Sequence, residues 1–338
     1  MRSLPDGDGI EQRYVFICGL HRSGTSVLGR NIARMENCTG FKDTGAIEDE
    51  GQFLQDVYPI GKVYGGAGKF GFDPRAHLTE KSPLLTPENT MKLRLSWERY
   101  WDPGKAIRVE KTPGNLLKAR FLQAMFPNSY FIVITRHPVP VSMANQKWKV
   151  DLASLHKLFD HWLHCHALFD EDKKYLKHVY ELSYEDYVRN PDKYHQEIAH
   201  FIGTTAPQSA MKEVTGVYNQ KYFNRWFDLL NKSPFKRYYR YVAVSYEARF
   251  AKYGYSLTGE SGIKPEAVWK EERISATAGA LCCLIANADA LFVRSIARSK
   301  AYVKTQLRAQ LPGPLKAVIQ RFLQKSSLTK KQPDTVAP

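Results

Sequence analysis

The segment Tyr14-Val15-Phe16-Ile17-Cys18-Gly19-Leu20-His21-Arg22-Ser23-Gly24-Thr25-Ser26 constrains the fold more than any other part of the chain. Tyr14 to Cys18 form an apolar, β-rich run that stops at Gly19. A short turn then carries Arg22, Gly24 and several hydroxyls, and Val27 to Arg34 reads as a helix. Strand, tight loop and helix N-terminus in that order build a cradle of backbone N–H groups aimed at an anion, with the helix dipole behind them. A phosphate or sulfate ester is the ligand such a cradle selects. Gly19 and Gly24 keep the G-x-x-x-x-G spacing of a nucleotide triphosphatase loop, but Thr25 stands where that motif has its phosphate-reaching lysine. The basic residue lies inside the loop instead, at Arg22. This argues against ATP or GTP hydrolysis, and the loop alone leaves open a basic turn that merely caps a helix.

Two stretches downstream narrow the choice. One is Arg108-Val109-Glu110-Lys111-Thr112-Pro113-Gly114-Asn115; the other is Phe126-Pro127-Asn128-Ser129-Tyr130-Phe131-Ile132-Val133-Ile134-Thr135-Arg136-His137-Pro138. With the loop, they resemble the sulfotransferase superfamily that uses 3′-phosphoadenosine 5′-phosphosulfate (PAPS). In that family an R-S-G-T-[ST] or K-S-G-T-T loop holds the 5′-phosphosulfate. A strand ending in E-K-[ST]-P faces the reacting sulfur, and the arginine of a later R-x-P binds the ribose 3′-phosphate. Glu181-Leu182-Ser183-Tyr184-Glu185-Asp186-Tyr187-Val188-Arg189-Asn190-Pro191 resembles the family's Y-E-D segment, and Phe201-Ile202-Gly203 its following helix end. The likeness runs in order over residues 13–257.

The resemblance implies a set of roles. Arg22, Ser23, Gly24, Thr25 and Ser26 would hold the phosphosulfate, Arg136 the 3′-phosphate through a bidentate fork, and Lys111 would screen the leaving oxygen. Two glutamates compete for the base. Glu110 matches the E-K-[ST] glutamate of heparan sulfate sulfotransferases, whereas Glu50 is the nearest match to the tyrosylprotein sulfotransferase glutamate that follows the first helix. His77 is a third candidate, by analogy with cytosolic members. The family often has a second 3′-phosphate ligand, a serine eight residues after the R-x-P arginine; that position is Ala144 here, and Ser142 is the nearest hydroxyl. The expected product is PAP, adenosine 3′,5′-bisphosphate. The acceptor would offer a hydroxyl or amine on a carbohydrate, lipid or small metabolite.

Strands near 13–18, 106–110, 130–135 and 178–182 alternate with helical patterns at 24–35, 116–125, from Pro138 onward and 152–169. That alternation predicts an α/β chain in three layers, a P-loop-like fold with a central parallel sheet covered on both faces. Residues 36–106 are irregular and rich in glycine and proline, which predicts an acceptor-side insertion, with a helix near 93–101. The aromatic and basic stretch Tyr222 to Tyr241 is expected to shape the acceptor pocket with it. A sulfotransferase domain over 13–257 would thus lie between a disordered N-terminus, 1–12, and a helical basic C-terminal extension, 265–325, with a disordered tail at 326–338.

The 338 residues carry Lys+Arg 49 against Asp+Glu 34, a net charge of +15. From Leu291 onward ten Lys/Arg meet one acid, Asp334, so +9 of this excess sits in the tail. Such a balance suits an anionic ligand or a membrane surface. Leu315, Val318, Ile319, Phe322 and Leu323 make one apolar helical face, fit for peripheral membrane contact or for self-association. No nucleic acid is expected. Five cysteines without a C-x-x-C pair, and no cleavable leader pattern, suggest a reducing, cytoplasmic setting, free or at a membrane. His156, His161, His164 and His166 lack the spacing of a metal site, so no metal is expected. The competing readings are a P-loop kinase and a non-catalytic basic module for membrane or nucleic acid.

Overall fold

A computed structural model of the chain describes residues 12–146, 154–206 and 217–259. The segments 1–11, 265–325 and 326–338, for which the sequence predicts disordered ends and a helical extension, lie outside the described residues.

Five parallel strands form the sheet: β1 (Arg13–Gly19), β2 (Cys38–Gly40), β3 (Ile107–Lys111), β4 (Ser129–Thr135) and β5 (Val179–Ser183). Their order is β2-β3-β1-β4-β5. Four of them follow the sequence pattern to within a residue or so. The fifth, β2, falls inside the segment 36–106 read as an insertion. Its Cys-Thr-Gly is too short to show a period of two, and parallel pairing with β3 makes it a strand.

Alternation along β1 builds both halves of the core. Tyr14, Phe16 and Cys18 point to one face, joined there by Trp97 of α2 (Pro87–Glu98), Phe121 of α3 (Ala119–Met125), and Phe159 and Trp162 of α5 (Leu155–Asp172). The helices α8 (Val217–Asn231) and α9 (Lys236–Ala251) add Trp226 and Phe250 to this cluster. Val15 and Ile17 point the other way, against Leu28 and Ile32 of α1 (Thr25–Ile32), Tyr187 of α6 (Tyr184–Arg189) and Ile198 of α7 (Pro191–Ile202). α4 (Pro138–Gln146) starts at the expected proline, whose missing N–H is not needed at a first helical position. The result is the three-layer α/β arrangement the alternation predicts.

Between β2 and α2 the chain makes short 3₁₀ turns, among them Ile47–Asp49 and Gly51–Phe53. Leu54, Val57, Tyr58, Tyr64 and Phe70 pin these turns to the large core cluster. Trp97 ties them in directly, because its indole Nε1 donates to the Gly51 carbonyl at 3.0 Å. Its ring is fully buried and stacks on Phe126 at 5.7 Å.

Lys118, just before α3, is the unusual member of the apolar face. It is 2% exposed, donates to the Gly114 carbonyl at 3.4 Å and lies 5.6 Å from the Tyr58 ring centre. Burial pushes its ammonium down to about 8, while Glu110 acts in the opposite direction.

Two stability measurements follow from this packing. Trp97→Ala removes a fully buried indole and its hydrogen bond, and should cost about 3–5 kcal/mol in urea unfolding. For Lys118 the folded-state pKa, about 8, lies below the ordinary lysine value of 10.5. Between those values the unfolded chain binds the extra proton, so stability rises with pH. Relative to Lys118→Met, the wild type should gain up to about 3 kcal/mol across that window.

Candidate active site

The carboxyl ends of β1, β3 and β4 converge on one loop. Arg22 and Gly24 both sit at positive φ, +74° and +101°. At Gly24 a Cβ would lie 2.6 Å from Tyr184 Cδ2, so the turn admits only glycine. Ser23 N–H donates to the Leu20 carbonyl at 3.0 Å and closes the turn. No side chain caps the first turn of α1, which leaves its N–H groups to a ligand. In front of the loop lies a cavity of about 320 Å³, lined by Arg22, Thr25, Ser26, Arg136, Tyr184 and Lys221 among others.

Arg136 follows β4 and is 6% exposed. Its Nη1 donates to the Arg22 carbonyl at 2.6 Å, and Nε and Nη2 fork onto Asn219 Oδ1 of α8, the former at 3.0 Å. The guanidinium stacks 4.1 Å from the Tyr184 ring centre. Asn219 in turn donates to Glu185 Oε1 at 3.3 Å, a carboxylate that also receives the His137 N–H and the Tyr255 hydroxyl. The nearest acid is thus relayed through a neutral amide, and the cation is oriented without being quenched by a direct ion pair.

The geometry separates the two candidate bases. Lys111 is on the α1 side of β3, where a Cβ on Gly29 would come within 3.0 Å of its Cβ. Its Nζ donates to the Glu48 carbonyl at 2.9 Å and to Glu50 Oε1 at 3.2 Å. Glu50 is 6% exposed, lines the cavity and accepts from Gln52 Nε2 at 2.6 Å. Burial raises its pKa, with the nearby Lys111 opposing.

Glu110, one residue earlier on β3, lines neither this cavity nor a neighbouring one along α1. It is 1% exposed and accepts from the Gly51 N–H at 2.8 Å, the Thr112 hydroxyl at 2.6 Å and the Asn115 amide. A Cβ on Gly51 would lie 2.5 Å from its Oε1. Burial raises its pKa as well. Glu110 is therefore joined to the peptide that immediately follows Glu50, and Trp97 holds the carbonyl of the same residue, Gly51.

The remaining candidates lie as follows. Ser23 is fully buried beneath the loop, and its hydroxyl has no partner among the described residues. Ser142 is 1% exposed and does not line the cavity, whereas Ala144 does. His77 is bonded to Asp172 at 2.7 Å and lines neither cavity. The α5 histidines are used separately: His156 on the Tyr238 hydroxyl, His161 on the Gly71 N–H, His164 against Phe72 and His166 against Trp162.

Sequence reasoning passed over several lining residues, among them His21, Arg30 and Lys221. His21 is pushed down to about 4, by burial first and then by Lys111, Lys118 and Arg22, and so presents a neutral imidazole at neutral pH. Its place next to Arg22 was the available signal. Lys221 comes from α8, some 85 residues beyond Arg136 in the chain, without a motif to mark it. Tyr222 beside it opens the aromatic and basic stretch expected to shape the acceptor pocket, and it lines this cavity.

The sequence matches the profile of the sulfotransferase family over residues 14–208. Among curated proteins none matches it significantly. Solved structures similar to it include a sulfotransferase from Mycobacterium avium, with 14% identity over 72% of this chain and 76% of that one and a TM-score of 0.43. The sulfotransferase domain of the Synechococcus PCC 7002 olefin synthase has 18% identity over 60% and 77%, with a TM-score of 0.37. A sulfotransferase from Alicyclobacillus acidocaldarius has 14% identity over 77% and 100%, with a TM-score of 0.39. The profile match spans more than half of the chain, and the protein belongs to the sulfotransferase family.

Proposed function

We propose that the protein moves a sulfuryl group from PAPS to a hydroxyl or amine of a carbohydrate, lipid or small-metabolite acceptor, with Glu50 as the base. The observation that carries this reading is the meeting of the Arg22 loop, Arg136 and the Lys111-paired Glu50 at one cavity. The donor set suits an adenosine bisphosphate: two guanidiniums, Lys221, the Thr25 and Ser26 hydroxyls and an uncapped helix terminus. PAPS, when bound, supplies the sulfuryl group and a stable leaving phosphate.

Each job falls to a residue of this chain. Arg22 and the α1 terminus neutralise the 5′ end of the donor. Arg136 reads the 3′-phosphate, and Lys221 supplies the second contact that Ala144, without a hydroxyl, cannot make. Glu50 takes the acceptor proton, and Lys111 holds its carboxylate in place while screening negative charge at the reacting end. Glu110 is a positioning residue, fixing the Glu50 backbone through Gly51. Thr25 at the nucleotide-loop lysine position weighs against a kinase. Among the described residues no helix is long and apolar enough to cross a membrane. Five cysteines without a C-x-x-C pair suit a reducing, cytoplasmic setting for the enzyme. Peripheral membrane contact or self-association through the basic C-terminal helices belongs to residues outside those described.

Calorimetry with PAP, and with ADP as the control, tests the donor. PAP should bind far more tightly than ADP. Arg136→Ala should lose about 10–100-fold in PAP affinity, the loss of a charged hydrogen-bonding partner, and Lys221→Ala should weaken PAP while sparing ADP. Equal binding of the two nucleotides would overturn the reading.

The base is tested by pH profiles. Glu50 must be ionised to act, so kcat/KM should rise with pH through a pKa above the usual 4.5 of a glutamate. Glu50→Gln should lose about 10²–10⁴-fold in kcat and the acidic limb with it. Glu110→Gln should keep that limb, and loss of the limb in this variant alone would move the base to Glu110.

A further inference from the structure

A second cavity, of about 500 Å³, runs along α1 beside the donor site. It shares Ser26, Arg30 and Glu48 with the donor cavity and reaches Lys111, so the two adjoin at the end of the donor cavity that Glu50 lines. The sheet order separates their far ends. Arg136 follows β4 on one side of β1, whereas the second cavity lies on the other side, against β3 and β2. A donor whose 3′-phosphate sits at Arg136 leaves this second cavity to the acceptor.

Its lining indicates the kind of acceptor. Ser26, Arg30 and Arg34 recur every four residues along α1 and its last turn, which spaces Ser26 and Arg34 by about 12 Å. Among the described residues neither the Arg30 nor the Arg34 side chain has an ion-pair or hydrogen-bond partner. Lys42 faces the same space, only loosely paired with Asp43 at 3.8 Å, both strongly exposed. Three carboxylates share the lining. Glu48 accepts from the Ser26 hydroxyl at 3.4 Å, Asp49 from Thr44, and Asp102 from the Gly104 N–H at 2.9 Å. Each is engaged by neutral donors only, so each keeps the capacity to accept from further hydroxyls. Phe41 adds an aromatic surface. Guanidinium forks match planar or tetrahedral anions, and carboxylates match hydroxyl groups.

Resting on the sulfotransfer reading above, we infer that the acceptor is an anionic carbohydrate of about two sugar units, whose carboxylate or phosphate ester is held by Arg34 while a hydroxyl about 12 Å away along α1, at the Ser26 end, enters the donor cavity that Glu50 lines. Arg34 lines the second cavity and not the donor cavity, so it can be altered without touching the nucleotide.

The test uses the full chain saturated with PAP and two pairs of disaccharides matched in size: lactobionate against lactose, and trehalose 6-phosphate against trehalose. Calorimetry should show at least a tenfold preference for the anionic member of one pair, and which pair responds distinguishes carboxylate from phosphate. Arg34→Ala should abolish the preference and leave PAP affinity unchanged. Equal affinity within both pairs, or a preference that survives Arg34→Ala, would overturn the inference. Failure of PAP itself to bind would remove the donor reading first and this inference with it, and that is visible before any sugar is added.

Discussion

Everything at the site depends on the parallel pairing of β1 with β3 on one side and β4 on the other. Ile17 stands opposite Lys111, and Gly19 opposite Ile134. That register brings three chain ends, separated by about ninety and twenty-five residues of sequence, to a single edge of the sheet. Parallel strands all point their carboxyl ends the same way, so the loops that follow them share one rim, which is where α/β folds bind their ligands. A slip of one residue in β3 would exchange Glu110 and Lys111 between the faces and dismantle the site.

The same parity accounts for the division of labour between those neighbours. Lys111 lies on the α1 face with Ile107 and Val109 and reaches Glu50 beneath the loop. Glu110 points to the opposite face, toward Cys18, Tyr58 and Lys118, where burial penalises its charge. Three neutral donors compensate part of that penalty, and one of them is the peptide that follows Glu50. A buried carboxylate thus serves as an anchor for a segment held otherwise only by short 3₁₀ turns. Trp97 anchors the carbonyl of the same glycine. Positioning Glu50 therefore draws on the core packing as much as on the motifs.

How much of this was legible beforehand varied with the kind of signal. The loop from Gly19 to Ser26 and the strands β1, β3, β4 and β5 show in the chain because apolar β-formers and glycine turns act locally. The edge strand β2 does not, since three residues carry no period and only the partner strand defines them. The two glutamates looked equivalent as motif matches, Glu110 with the fuller match. Ser142 was the nearest hydroxyl to the expected position, yet it is buried away from the cavity while Ala144 faces it. Helix phase, and not proximity in sequence, sets which α4 side chains face the cavity.

The sequence by itself determined the class of fold, the glycine-bearing loop after β1 and the basic residues at the carboxyl ends of β3 and β4. These are properties of contiguous segments, in which strand propensity, turn glycines and helix starts are decided by near neighbours. Only the tertiary structure decided which glutamate reaches the cavity, that Lys221 of α8 joins its lining, and that a second cavity lies along α1, with two guanidiniums that have no side-chain partner among the described residues. Those outcomes depend on strand parity and on segments far apart in the chain packing against one sheet, and no local pattern records which of two buried carboxylates will be left facing the ligand.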